Sequence, residues 1–308
     1  MLSVKPRTGF ALPELMIAVI VLTVVGGAVY NGLRRQQQVF RSIAAMVAVR
    51  GDVRDAAEVL AADLTTVSPL DTLPVARDSA VEMYSTIAAT VSCDSAPTYT
   101  IRVPPEKMER RLLLTTLLAT PDSGDVLLLY IDDSSATLGA PRWERHTIAA
   151  VGSQPSGTAC PPATGFTTAG DATAPALVFT LRGPAGSGVR AGAPIRVLRR
   201  NRYSLYRSSD SRWYLGSRRC NAFGPSACNV VQPVSGPYAG YSAAGESGLS
   251  LRFFDGQNVL LSSSAAGTHA VRIELAVRAR SDAWLHPGRA GLPFRDSASM
   301  SVALRNRD

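Results

Sequence analysis

Four cysteines, three histidines, a set of neighbouring aspartates, an arginine-rich run and one isolated glutamate are the residues of this 308-residue chain that could do chemistry. The histidines, His146, His269 and His286, lie far apart, and no HExxH pairs any two of them, so a histidine-centred metal or acid–base site is not expected. No GxSxG elbow and no Walker A loop occurs. Gly186-Ser187-Gly188-Val189-Arg190-Ala191 fits GxGxxG/A, but Gly192 and Pro194 follow at once and lead into a strand. Without a helix N-terminus no dipole faces a pyrophosphate, and the segment reads as a turn. Asp122, Asp125, Asp132 and Asp133 flank an apolar run and could supply oxygens to a hard cation, or could line a solvated turn. Arg199-Arg200-Asn201-Arg202-Tyr203, with Tyr206, Arg207, Trp213, Tyr214, Arg218 and Arg219, interleaves guanidinium groups with rings, a composition that suits single-stranded nucleic acid. Strand alternation, with Arg outward and Tyr inward, explains the same pattern as an amphipathic sheet, and nucleic acid is not the expected partner. No catalytic residue, cofactor, metal or small-molecule substrate is expected.

Glu14 is different, because of where it stands. Leu15 to Tyr30 is an unbroken apolar run, and Phe10, Ala11 and Leu12 extend it to the ~20 residues that a membrane span needs. Glu14 is the one charge inside, and burying a carboxylate at mid-bilayer costs roughly 2.5–3.5 kcal/mol, less near an end. Such a residue is a functional candidate by default. Lys5 and Arg7 before the span predict a cytoplasmic N-terminus. Two plainer readings compete: a secretory signal peptide cut after Gly26-Gly27-Ala28, and a simple single-span anchor.

The residues Lys5-Pro6-Arg7-Thr8-Gly9-Phe10-Ala11-Leu12-Pro13-Glu14-Leu15 resemble the cleavage and methylation site of type IV prepilins and type II secretion pseudopilins. The resemblance implies cutting after Gly9 by a membrane prepilin peptidase/methyltransferase and N-methylation of Phe10. It implies that Glu14 pairs with the N-terminal amine of a neighbouring subunit. Pro13 departs from the commoner pattern but suits a first helical turn, where its missing N–H costs little. Ile195-Arg196-Val197, Tyr203-Ser204-Leu205-Tyr206, Trp213-Tyr214-Leu215-Gly216 and the ending Val302-Ala303-Leu304-Arg305-Asn306 look like minor pilins of the PilW type, with J-type pseudopilins close in layout. Taken together, the resemblance implies a non-enzymatic inner-membrane subunit with a periplasmic head, later drawn into a pilus or pseudopilus with other pilins or pseudopilins as partners. The alternatives are a membrane-anchored periplasmic protein of other function and a DNA-binding or uptake subunit at a pilus tip.

Composition fits an exported chain with a sizeable core: 46% of residues are hydrophobic and the formal charge is +8, or +6 once Lys5 and Arg7 leave with the leader. Apart from Lys5 and Lys107 all basic charge is arginine, a choice that reads as genome composition more than as a partner. No CxxC occurs and no histidine neighbours Cys93, Cys160, Cys220 or Cys228 in sequence, so disulfides are expected, with three possible connectivities. Cys220–Cys228 with Cys93–Cys160 is preferred, because the first pair closes the short loop NAFGPSA.

The elements that must carry these residues can be placed from periodicity. Residues 1–9 are a leader, 10–30 a transmembrane or filament-core helix, 31–68 an amphipathic helix and 69–308 a β-rich head. The fold class is α+β: a long N-terminal helix, its first half spanning the membrane, packed on an antiparallel sheet. Val39, Ile43, Met46, Val53, Ala57, Leu60, Leu64 and Val67 form the expected apolar stripe, and Pro69 and Pro74 the expected stop. From Phe10 to Ser68 this helix would run ~88 Å. Gly26-Gly27 and Asn31-Gly32 are poor helix formers, and the resemblance implies that the helix melts near them in an assembled filament. Period-two patterning predicts strands at 81–91, 99–103, 126–131, 142–151, 177–182, 195–207, 212–218, 249–255, 271–279 and 300–304, with hairpin loops at Ser208–Ser211 and Asp255-Gly256. Residues 153–175 and 223–248 read as long surface loops.

Overall fold

A computed structural model describes residues 12–67, 72–95, 99–109, 113–132, 141–186, 188–220, 228–242, 246–284 and 293–304. Its first element is one helix, α1 (Leu12–Thr65). It runs unbroken through Gly26-Gly27 and Asn31-Gly32, where neighbouring apolar residues sustain the helix despite the glycines. The helix ends before the expected proline stop. Thr66 and Val67 turn into the sheet instead: the Thr86 N–H donates to the Thr66 carbonyl, and Val67 bridges Ser85. Pro69 lies outside the described residues.

Among the described residues thirteen strands come after it: β1 (Val75–Arg77), β2 (Ala80–Val91), β3 (Thr100–Arg102), β4 (Thr116–Leu117), β5 (Val126–Ile131), β6 (Arg142–Pro155), β7 (Pro175–Leu181), β8 (Pro194–Arg207), β9 (Trp213–Arg219), β10 (Val231–Tyr238), β11 (Leu249–Phe254), β12 (Arg272–Trp284) and β13 (Pro293–Ala303). The described residues also form two short helices, α2 (Ser156–Ala159) and α3 (Ser263–His269), and two 3₁₀ turns. The large sheet orders as β1-β2-β8-β5-β6-β7-β3, with β4 on β2, β9 on β8 and β10 on β9; the small sheet is β11-β12-β13. Each registered pair is antiparallel. An α+β class with a long apolar N-terminal helix and a large antiparallel sheet is what the residues build.

The chain divides into two compact units. One comprises α1 as far as Gly51 with Arg280–Asp296; in it the Arg50 guanidinium pairs with Asp296 at 3.3 Å and lies 5.6 Å from the Phe294 ring centre. The other holds Asp52–Ala279 and the chain from Ser297 onward. In that unit Val53, Ala56, Ala57, Leu60, Leu64 and Val67 are buried at helical spacing. Two tyrosines tie this stretch to the sheet: Tyr203 of β8 donates to the Asp63 carboxylate, and Tyr238 of β10 donates to the Asp52 carbonyl at 2.7 Å. The N-terminal members of the expected stripe, Val39 and Ile43, are exposed; Val49 and Ala56 are buried instead.

A second core forms where β6 passes from β5 to β7. Its register shifts between Ile148 and Ala150, and the strand bends so that β7 and β3 cover one face of β5 and β8. Ile101, Leu127, Leu129, Ile148, Phe179 and Ile195 fill that space, all essentially without exposure. Two expected loops are corrected here. Residues 153–155 continue β6, and 156–171 form short helical turns with Cys160 fully buried. The stretch read as the loop 223–248 contains β10, an edge strand that tolerates Pro233 and Pro237 because it pairs on one side only. The Ser208–Ser211 hairpin loop is present between β8 and β9, with Ser211 at φ 64°. Asp255-Gly256 turns the chain into a single bridge, Phe254 to Leu260, and then into α3.

Candidate functional site

Glu14 sits in the first turn of α1, where its negative charge complements the helix dipole, and Pro13 beside it needs no partner for a missing N–H. From Leu12 to Val29 the large apolar side chains are at least half exposed, Leu12 at 78% and Leu22 at 73%. This helix is long and apolar enough to cross a membrane. Beyond Tyr30, whose ring lies 5.5 Å from the Arg34 guanidinium, the exposed apolar residues become sparser but persist: Leu33, Phe40, Ile43 and Val47. Gly26, Gly27 and Gly32 leave open space where side chains would be, so the helix presents a notch there. Gly9 and Phe10 lie outside the described residues.

Both preferred disulfides are formed. Cys93 and Cys160 join β2's end to α2 with Cα atoms 5.3 Å apart, and Cys220 joins Cys228 at 4.4 Å. Glu82 approaches the second bridge, with a carboxylate oxygen within 4.8 Å of both sulfurs. Those three donors are already engaged, the sulfurs with each other and the buried carboxylate with Arg200 and with Arg202 at 2.7 Å.

Of the aspartates that could supply oxygens to a hard cation or line a solvated turn, Asp122 and Asp125 are taken by arginines. Asp125, nearly inaccessible, accepts from Arg199 at 2.7 Å and from Arg219 at 3.4 Å, and Arg219 also reaches Asp122 at 3.1 Å. The Ser123 backbone N–H, then the Arg219 guanidinium, hold the Asp122 carboxyl below its usual range. Two guanidinium groups occupy the place of the ion, and Asp133 falls outside the described residues. This partnership is invisible in sequence because Arg199 and Arg219 stand 74 and 94 residues from Asp125. The glycine motif at 186–191 leads into β8 and not into a helix, as a turn should. His146 lies on β6, 3.5 Å from Glu144, and His269 ends α3; His286 is outside the described residues.

The arginine-rich run splits across the sheet by strand parity. Arg199, Tyr203 and Arg219 face the α1 side and are paired with Asp125, Asp63 and Asp122. Burial, reinforced by the bond to Asp63, pushes the Tyr203 hydroxyl well above its usual range. Arg200, Arg202, Tyr206, Tyr214 and Arg218 share the opposite face. Arg outward with Tyr inward therefore holds at Tyr203 and does not hold at Tyr206 and Tyr214. Their rings meet at 6.0 Å between centres, and Tyr206 lies over Gly216, where any Cβ would come within 2.7 Å of the ring.

No protein-family model, no curated protein and no solved structure matches this chain.

Proposed function

We propose that this chain is a minor pilin or pseudopilin, a non-enzymatic subunit anchored in the inner membrane by α1 and later assembled into a type IV pilus or type II secretion pseudopilus. The carrying observation is the exposed apolar length of α1 with a single carboxylate, Glu14, in its first turn. A helix of this composition needs lipid or other helices around it. Inside either, a carboxylate is costly to bury unless a cation pairs with it. By sequence, the amine of Phe10 that cleavage after Gly9 would release is the candidate cation, on this or an adjoining subunit. Such a pair in a low-dielectric bundle sets axial register more than it adds net stability.

The test is the mature N-terminus together with the fate of Glu14→Ala. Mass spectrometry should find the wild-type chain starting at a methylated Phe10. Glu14→Ala should insert and be cleaved normally yet fail to enter sheared filaments or partner pull-downs. A wild-type N-terminus at Val29, the product of an ordinary signal peptidase, refutes the reading. Wild-type incorporation of Glu14→Ala refutes the register role.

A further inference from the structure

We propose that the face of the large sheet turned away from α1 is a binding platform for a single-stranded nucleic acid. The inference stands apart from the filament reading, since every residue it uses lies in the unit built from Asp52–Ala279. Strand parity puts Arg145 of β6, Arg196, Arg200 and Arg202 of β8 and Arg218 of β9 on this one face. The same parity gives it a single carboxylate among its described strand positions, Glu82 of β2, which Arg200 and Arg202 share. The face therefore carries a surplus of positive charge, and a phosphate backbone is the complementary polymer.

Charge alone would fit any polyanion; the rings narrow the choice. Tyr84 and Trp143, half-buried, roof a small apolar patch of Val126, Leu128 and Leu198. The Arg145 guanidinium lies 4.3 Å from the centre of the Tyr84 ring, and Arg196 lies 5.3 Å from that of Trp143. Both arginines are exposed. Tyr130 meets Trp143 edge to face at 5.4 Å and fixes its orientation. Planar cations held against rings offer bases what single-strand binders use, guanidinium and aromatic planes for stacking beside charges for phosphates. An acidic polysaccharide would use the charges and leave the planes idle.

The experiment uses the full chain in non-ionic detergent with a fluorescein-labelled 20-nucleotide single strand of mixed sequence, followed by anisotropy across a salt series. The expected result is binding with a Kd on the order of 1–100 µM at low salt, weakening as salt rises. Arg145→Gln with Arg196→Gln should weaken binding at least about tenfold and flatten the log–log salt slope by about 1.4, ~0.7 for each lost single-strand phosphate contact. Trp143→Leu keeps the charge and should weaken oligonucleotide binding several-fold while leaving heparin binding unchanged. Arg196→Lys, a change at an exposed site that keeps charge but removes the planar group, should act in the same direction as Trp143→Leu and guards against a folding defect in the latter. Absence of oligonucleotide binding at low salt overturns the proposal, as does a double glutamine variant that binds like wild type. Equal loss of heparin and oligonucleotide binding in Trp143→Leu, or loss of neither in both ring-directed variants, reduces the face to a general polyanion surface and also overturns it.

Discussion

Leu60→Ala and Phe40→Ala form a pair that separates what folds this protein from what α1 offers outward. Both residues are large, apolar and on the same helix, but Leu60 is fully buried while Phe40 is 70% exposed. Truncating a buried leucine removes its transfer free energy and leaves a cavity, together ~2–5 kcal/mol. Leu60 sits among Val53, Ala56, Ala57 and Leu64, small or stiff neighbours on a rigid helix that collapse poorly into a hole, so ~3 kcal/mol is the expected cost. At ~2–4 °C per kcal/mol for a domain of this size, the melting temperature should fall by ~6–12 °C. Phe40→Ala removes no buried contact and should stay within ~0.5 kcal/mol of wild type. The assay is thermal and urea unfolding of the full chain in detergent, beside the yield of each variant in membranes and in any assembled fraction. Phe40→Ala should lose assembly while keeping monomer stability. A Leu60→Ala loss below ~1 kcal/mol would refute the packing of α1 on the sheet. A loss of more than ~2 kcal/mol in Phe40→Ala would refute the exposed face.

The contribution of Tyr203 and Tyr238 to stability should be level below pH ~10 and fall above it, because their hydroxyls, raised first by burial, hold their protons in the folded state after an unfolded tyrosine has lost its own. Tyr203→Phe should shrink the loss measured by urea unfolding between pH 9 and 11, and an unchanged loss would refute the assignment. Native chain made in an oxidising compartment should titrate no free thiols; removing Cys93–Cys160, a separation of 67 residues, should cost more than removing Cys220–Cys228, a separation of 8. In the chain-entropy view the two are worth about 4.4 and 2.5 kcal/mol, and equal losses in paired serine variants would contradict that ordering.

What the sequence made legible was local. The helix was readable because its apolar run is long and a 3-4 stripe, broken at Arg50, continues it, and β2, β5, β8 and β9 because alternation or apolar runs mark them within a residue or two. The cysteine pairing was readable from one short loop. What stayed hidden depends on partners far along the chain. Asp122 and Asp125 look like cation ligands until Arg199 and Arg219 arrive from other strands. Tyr84, Trp143 and Arg145 give no sign in sequence that they join Arg196 on one face. β10 was hidden for a different reason: two prolines and a glycine within VQPVSGPY mimic a loop, and only its edge position makes them acceptable. The end of α1 was misplaced because the tether of Thr66 and Val67 to β2, and no breaker residue, decides it.

The pairing of β2 with β8 sets the order in which this chain can become itself. Glu82 finds Arg200 and Arg202 across 118 and 120 residues of sequence, and Tyr203 finds Asp63 across 140. Synthesis runs from the N-terminus at ~5–20 residues per second, so β2 and the stretch of α1 from Asp52 spend several seconds without the strand that completes them. During that interval an apolar helix face and two strand edges are open to wrong partners. Folding dominated by such distant contacts is slow, on the scale of milliseconds to seconds, even after the last strand is made. Completion of the large sheet therefore waits for β8, and a chain truncated before Pro194 should accumulate as an aggregation-prone species, whatever its helix and first seven strands have achieved locally.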